Sequence, residues 1–187
     1  MFVTDCQSLA NIVNGLVVYT GKNEESIKEL KAITRCLVLF AEKGWSTGGI
    51  KHDYTSWRER SFNKVADHYA NVCMEEGRSW RKELNIARNH DTPYSMMIFS
   101  DGGKRDENNI SAAWAIFKVR RGRQKEIANG AQKMEKGDSF TAEIQALRQA
   151  MEHTCDILGL NIITTQLSIW PRANIAWSYC SQNLPPR

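Results

Sequence analysis

No C-x-x-C pair occurs anywhere in this chain of 187 residues, and its five cysteines, Cys6, Cys36, Cys73, Cys155 and Cys180, are an odd number scattered over its length. That spacing favours neither a zinc site nor a disulfide framework, and it suits a reducing intracellular compartment, cytoplasm or nucleus. No basic leader with a long apolar stretch opens the sequence at "MFVTDCQ", and no run approaches the length that crosses a bilayer. A soluble, unprocessed protein with no membrane partner is therefore expected. Dense basic clusters are missing too. A net charge of +4 is compatible with a polyanionic partner without announcing one. Low-complexity tracts are absent, and 187 residues at 42% hydrophobic composition allow one domain of ordinary size.

What is present alternates between two periods. "MFVT" reads as a short strand, and Leu9, Ile12, Val13 and Leu16 then recur at helical spacing. The longest helix is "NEESIKELKAITRCLVLFAEKG", with Asn23 as its N-cap, Ile27, Leu30, Ile33, Leu37 and Phe40 as its core stripe, and Gly44 as its stop. "IKHDYTSW" reads as a strand, and "SFNKVADHYANVCMEEG" as a helix ending at Gly77. Residues 78–94 are polar, without clear period, and read as a linker. Three strands follow, 95–101, 111–120 and 123–131, as a meander of hairpins. Thr141 then caps a helix whose buried stripe is Ile144, Leu147, Met151 and Leu158, and "LNIITTQLSI" reads as a last strand before an aromatic tail.

Acids fall at the junctions of these elements. In "MMIFSDGGKR" an apolar strand ends on Asp101, with two glycines able to turn the chain just after it. Asp5 follows the strand "MFVT", Glu143 lies in the first turn of its helix, and Asp67 sits near the start of another. Each has an ordinary structural role open to it: strand-end turn, N-cap, helix-terminal charge and solvated helix residue, respectively. As a group they suit hard divalent cations, which take oxygen ligands and serve phosphodiester hydrolysis when held by several carboxylates.

"IFSDGG", a strand meander and "TAEIQALRQAM" together resemble the first half of a ribonuclease H domain, and "VTDCQSLANIVNG" with "RSFNKVADHYANVCM" resembles its second half. The similarity is to the ribonuclease H domains of retroelements and their plant-like relatives. It implies an α/β fold, a ribonuclease H-like mixed sheet flanked by helices. Asp101, Glu143, Asp5 and Asp67 would be the catalytic, metal-binding quartet for two Mg²⁺ or Mn²⁺ ions. The implied activity is endonucleolytic hydrolysis of the RNA strand of an RNA–DNA hybrid, with a non-catalytic retroelement-derived domain that binds nucleic acid or a partner protein as the alternative.

The halves stand in permuted order. Residues 1–77 match the C-terminal half and 95–159 the N-terminal half, joined by the linker 78–94, while 160–187 hold a partial repeat strand and the tail. "IITTQLSI" resembles "FVTDCQSL" with Thr165 where the carboxylate of Asp5 would be. Its short tether makes it a competitor for the place beside the strand of Asp101, so a monomer or a domain-swapped homodimer is expected. A second departure is the loop before Asp67. Trp57 stands where the family carries a His, and His52 lies five residues earlier. Lys104, Arg105, Arg120, Arg121 and Arg123 are candidate phosphate contacts.

Overall fold

The computed structural model describes residues 1–42, 55–84 and 95–160. In chain order the elements are β1 (Phe2–Thr4), α1 (Gln7–Val13), α2 (Glu24–Glu42), β2 (Thr55–Trp57), a 3-10 turn (Arg60–Phe62), α3 (Lys64–Glu76), β3 (Trp80–Glu83), β4 (Ser95–Asp106), β5 (Asn109–Arg120), β6 (Arg123–Met134) and α4 (Ser139–Ile157). The architecture is α/β, a six-stranded mixed sheet in the order β2-β1-β4-β5-β6-β3. β4, β5 and β6 form an antiparallel meander, β3 adds antiparallel to β6, and β1 and β2 run parallel to β4. No helix among the described residues is long and apolar enough to cross a membrane.

Alternation along the strands decides which layer packs on which face. Ile98, Trp114, Ile116 and Ala128 join Leu9, Val13, Ile33, Leu37, Phe40, Ile144, Leu147 and Met151 in the main core, so α1, α2 and α4 cover one face. The next-door residue Ala113, with Ala131, packs on Ala70 and Cys73 of α3 across the other face. Of the apolar stripes expected, Ile33, Leu37 and Phe40 of α2 and Ile144, Leu147 and Met151 of α4 are buried, while Ile27, Leu30 and Leu158 are half-buried. Leu147→Ala, for instance, would cost about 2–5 kcal/mol in a denaturant titration.

Local chemistry sets the helix ends. Asn23 caps α2, its Oδ1 accepting from the N–H groups of Glu25 (3.0 Å) and Ser26 (3.2 Å). The expected cap of α4 is displaced by three residues: Asp138 is the cap, and Thr141 donates to it from both N–H (2.7 Å) and hydroxyl (2.8 Å). A carboxylate reaches the free amides of the first turn better than the hydroxyl one turn in. Gly77, with φ +66°, ends α3 as expected. Leu16, expected on the buried stripe of α1, is exposed instead, because the helix stops at Val13 before Gly15.

Two further expectations change. Trp80–Glu83, read as linker, forms the edge strand β3. Gly102 and Gly103, read as a turn, run on within β4, whose pairing with β5 continues past both. Their role is clearance. A Cβ on Gly102 would lie 2.2 Å from the Glu143 nitrogen on α4, and one on Gly103 would lie 2.8 Å from the Met74 methyl on α3. The glycine pair thus lets a helix approach each face of β4 next to Asp101. β1 of the same chain occupies the place beside β4. Of the competing segment expected there, Leu160 to Ile169, Leu160 follows α4 and is buried in the main core, while its residues from 161 on, Thr165 among them, lie outside the described residues, as does His52.

Candidate metal centre

Register brings the first two acids together. β1 pairs in parallel with β4 as Phe2 with Ile98 and Val3 with Phe99, so the next steps put Asp5 level with Asp101. α4, admitted by Gly102, delivers the third. One carboxylate oxygen each from Asp5, Asp101 and Glu143 lies within 4.8 Å of the other two. Glu143 stands one turn into α4, whose first residue is Ser139, and so its side chain reaches the sheet and not the cap.

Three carboxylates at this spacing repel one another, and burial removes the water that would screen them. Burial, then the charge of Asp5, pushes the Asp101 carboxyl up to about 7. Glu143 is pushed further, to about 9, by burial and then by Asp101 and Asp5, against a backbone hydrogen bond from Gly102. Its Oε2 is buried with no hydrogen-bond partner. A buried acceptor left unpaired is costly, and a cation supplies what it lacks. The donor set is oxygen only, which suits Mg²⁺ or Mn²⁺ and not a thiolate- or imidazole-seeking ion. The residues present therefore fit a hard divalent ion.

The centre is held from behind by Asn63, which is wholly buried at the head of α3. Its Nδ2 donates to Asp5 Oδ1 (2.9 Å) and to the Ser100 carbonyl (2.8 Å), with a longer contact to Asp101 Oδ1 (3.4 Å). The Trp57 indole N–H donates to the Asp5 carbonyl at 3.0 Å, fixing the backbone that carries the carboxylate. Neither role is visible in the sequence alone. An Asn four residues before Asp67 reads first as a helix cap, yet its side chain makes no capping hydrogen bond.

Asp67 is not in the cluster of three. Its Oδ1 accepts from both Nε (3.0 Å) and Nη2 of Arg60, and its Oδ2 accepts from Asn71 Nδ2 at 3.2 Å. No protein-family model, curated protein or solved structure matches the chain. The cations expected to meet phosphate divide into two places. Lys104 and Arg105 lie on β4 just past Asp101, with Arg105 donating to Asn71 and Glu75. Arg120, Arg121 and Arg123 lie at the β5–β6 hairpin, and Arg120 is seven residues along β5 from Ala113, the partner of Asp101. At strand rise that is about 24 Å, beyond a phosphate held at the centre.

Proposed function

We propose that this protein is a metal-dependent endonuclease of the ribonuclease H type, acting on the RNA strand of an RNA–DNA hybrid. The observation that carries the reading is the convergence of Asp5, Asp101 and Glu143 from three elements far apart in sequence, around the orphaned Oε2 of Glu143. The strand order supports it as well. In a ribonuclease H-like fold the fourth strand lies beside the first, and in a permuted chain those are β1 and β4, which are neighbours here.

In this reading Asp5, Asp101 and Glu143 hold the divalent ions. Bound there, such ions supply an activated water and stabilise the leaving 3′ oxygen. The chain's own work is positioning. Asn63 fixes the carboxylates of Asp5 and Asp101, and Trp57 fixes the backbone of Asp5. The rim next to the centre offers Trp57 and Phe62, the latter 68% exposed, as surfaces on which bases stack. Arg58, Lys104 and Arg105 offer charge to the phosphates. Preference for RNA would come from contacts to the 2′-hydroxyl, the group that distinguishes it from DNA.

The test is cleavage of an end-labelled hybrid in Mg²⁺ or Mn²⁺, beside the same sequence as DNA duplex. Cleavage of the RNA strand that stops with chelator and with Asp101→Asn is expected. Binding of the hybrid without metal-dependent cleavage would favour the non-catalytic alternative, and preferential cutting of the DNA duplex would move the protein to another nuclease class.

A further inference from the structure

Residues 57–63 form a loop pinned to the end of β1 on both sides. At its start the Arg58 N–H donates to the Thr4 carbonyl and the Trp57 indole to the Asp5 carbonyl, each at 3.0 Å. At its end Asn63 Nδ2 donates to Asp5 Oδ1 at 2.9 Å. The loop is therefore fixed beside the metal centre, and its residues 57–62 are all exposed. Two of them are aromatic. Trp57 is 42% exposed and Phe62 68%, whereas every other Phe, Tyr and Trp among the described residues is buried or half-buried. Large apolar rings gathered in solvent at one place mark a contact surface, since each forgoes the stabilisation of burial. Cations are interleaved with them. In "WRERSFNK" Arg58, Arg60 and Lys64 stand against the single acid Glu59, and Arg60 is also the partner of Asp67. That mixture suits a nucleic-acid strand whose bases are free, because an aromatic face stacks on an unpaired base while cations follow the phosphates. Inside a duplex the faces of the bases are already taken by their neighbours in the stack.

We propose that this loop holds an unpaired stretch of the RNA strand next to the metal centre, with Trp57 and Phe62 as its stacking faces. The preferred substrate is then a hybrid that gives way to single-stranded RNA, not an uninterrupted duplex. The inference rests on the functional reading above and narrows its substrate class.

The test is binding in chelator, measured by fluorescence anisotropy on the full chain, of a blunt RNA–DNA hybrid and of the same hybrid with a short unpaired RNA extension, placed in turn at the 5′ and the 3′ end of the RNA strand. Wild type should bind the better of the extended hybrids at least about 5-fold more tightly than the blunt one, the lower value for stacking of one base. Phe62→Ala, an exposed substitution that leaves the core untouched, should lose most of that gain, and Phe62→Tyr, which keeps the ring, should retain it. An extension of abasic residues, which carries phosphates without bases, should give wild type little gain. Equal binding of blunt and extended hybrids by wild type, the full gain from the abasic extension, or the full gain retained by Phe62→Ala would each overturn the platform and leave the metal centre intact. A wild-type dimer in sedimentation that Phe62→Ala dissociates would give this face to a second copy of the chain and overturn the platform too. The expected gain without cleavage in Mg²⁺ or Mn²⁺ would keep the platform and remove the nuclease reading. Binding of no hybrid at all would remove both.

Discussion

Helix α4 carries a buried titratable side chain towards each end, Glu143 and His153, about 15 Å apart along the axis, and their surroundings differ in kind. Around Glu143 the nearest charges are Asp5 and Asp101, both of its own sign, and the Arg60 guanidinium offsets them only in small part. Around His153 the signs are mixed. Glu83 Oε1 lies 3.5 Å from its Nε2, Asp156 Oδ2 lies 3.8 Å from its Nδ1, and Arg81 bridges both acids. The imidazole packs on Trp114 with ring centres 4.6 Å apart, and burial, then Arg81, lowers its affinity for a proton. Burial thus favours the neutral form of both groups. Only at the Glu143 end does neutrality require adding protons to a cluster of acids, and only there would a divalent cation relieve the crowding. Like-charge crowding marks the site more clearly than burial does.

The largest contrast should come from Asp101→Asn, which removes a charge and keeps the shape. Hybrid cleavage should fall to background, and the metal-free variant should melt at a higher temperature than wild type, because a buried repulsion is gone. Lower stability together with retained cleavage would remove the contrast. Next is Asn63→Ala, which leaves the acids in place and unfixes them. Partners that orient metal ligands are worth about 10–100-fold, so Mn²⁺ affinity measured by calorimetry should weaken by that much.

Stability against pH separates the two ends of α4. Asp101 and Glu143 have folded values raised above those of the unfolded chain, so the folded state holds their protons longer. Metal-free stability should fall as pH rises from the ordinary carboxylate range through about 7 and about 9. His153 has a lowered folded value, so its contribution is present above its ordinary 6.5 and is lost as pH falls below it. Mg²⁺, which binds the ionised carboxylates, should flatten the alkaline limb and leave the acid limb unchanged in thermal melts. The smallest effect is expected from His153→Phe. It should reduce the acid limb and leave the cleavage rate within about twofold, as a change distant from the chemistry does.

Much of this arrangement was legible in the residues, because periodicity reports burial directly. Most of the stripe of α4, the meander and the placing of Asp5 and Glu143 at element junctions follow from it, whereas Asp101, read as the end of its strand, lies inside β4, which runs on to Asp106. What was not legible depends on neighbours brought in by the fold. Gly102 and Gly103 look like a turn until α4 and α3 stand against them. Asn63 looks like a cap until the sheet places two carboxylates beside its amide. Arg60 reaches Asp67 across the bend between the 3-10 turn and α3, and because the two residues do not share one helix the i,i+3 and i,i+4 ion-pair spacings do not flag them. β3 is an edge strand with three of its four residues exposed, so it lacks the alternation that would announce it.

The central claim is that the three acids hold a hard divalent ion, and an anomalous difference map from crystals grown in Mn²⁺ tests it most directly. A peak is expected within ligand distance of oxygens from Asp5, Asp101 and Glu143, absent from Asp101→Asn crystals. Saturating Mn²⁺ with no peak at those three carboxylates, or a peak only at other acids, would contradict it.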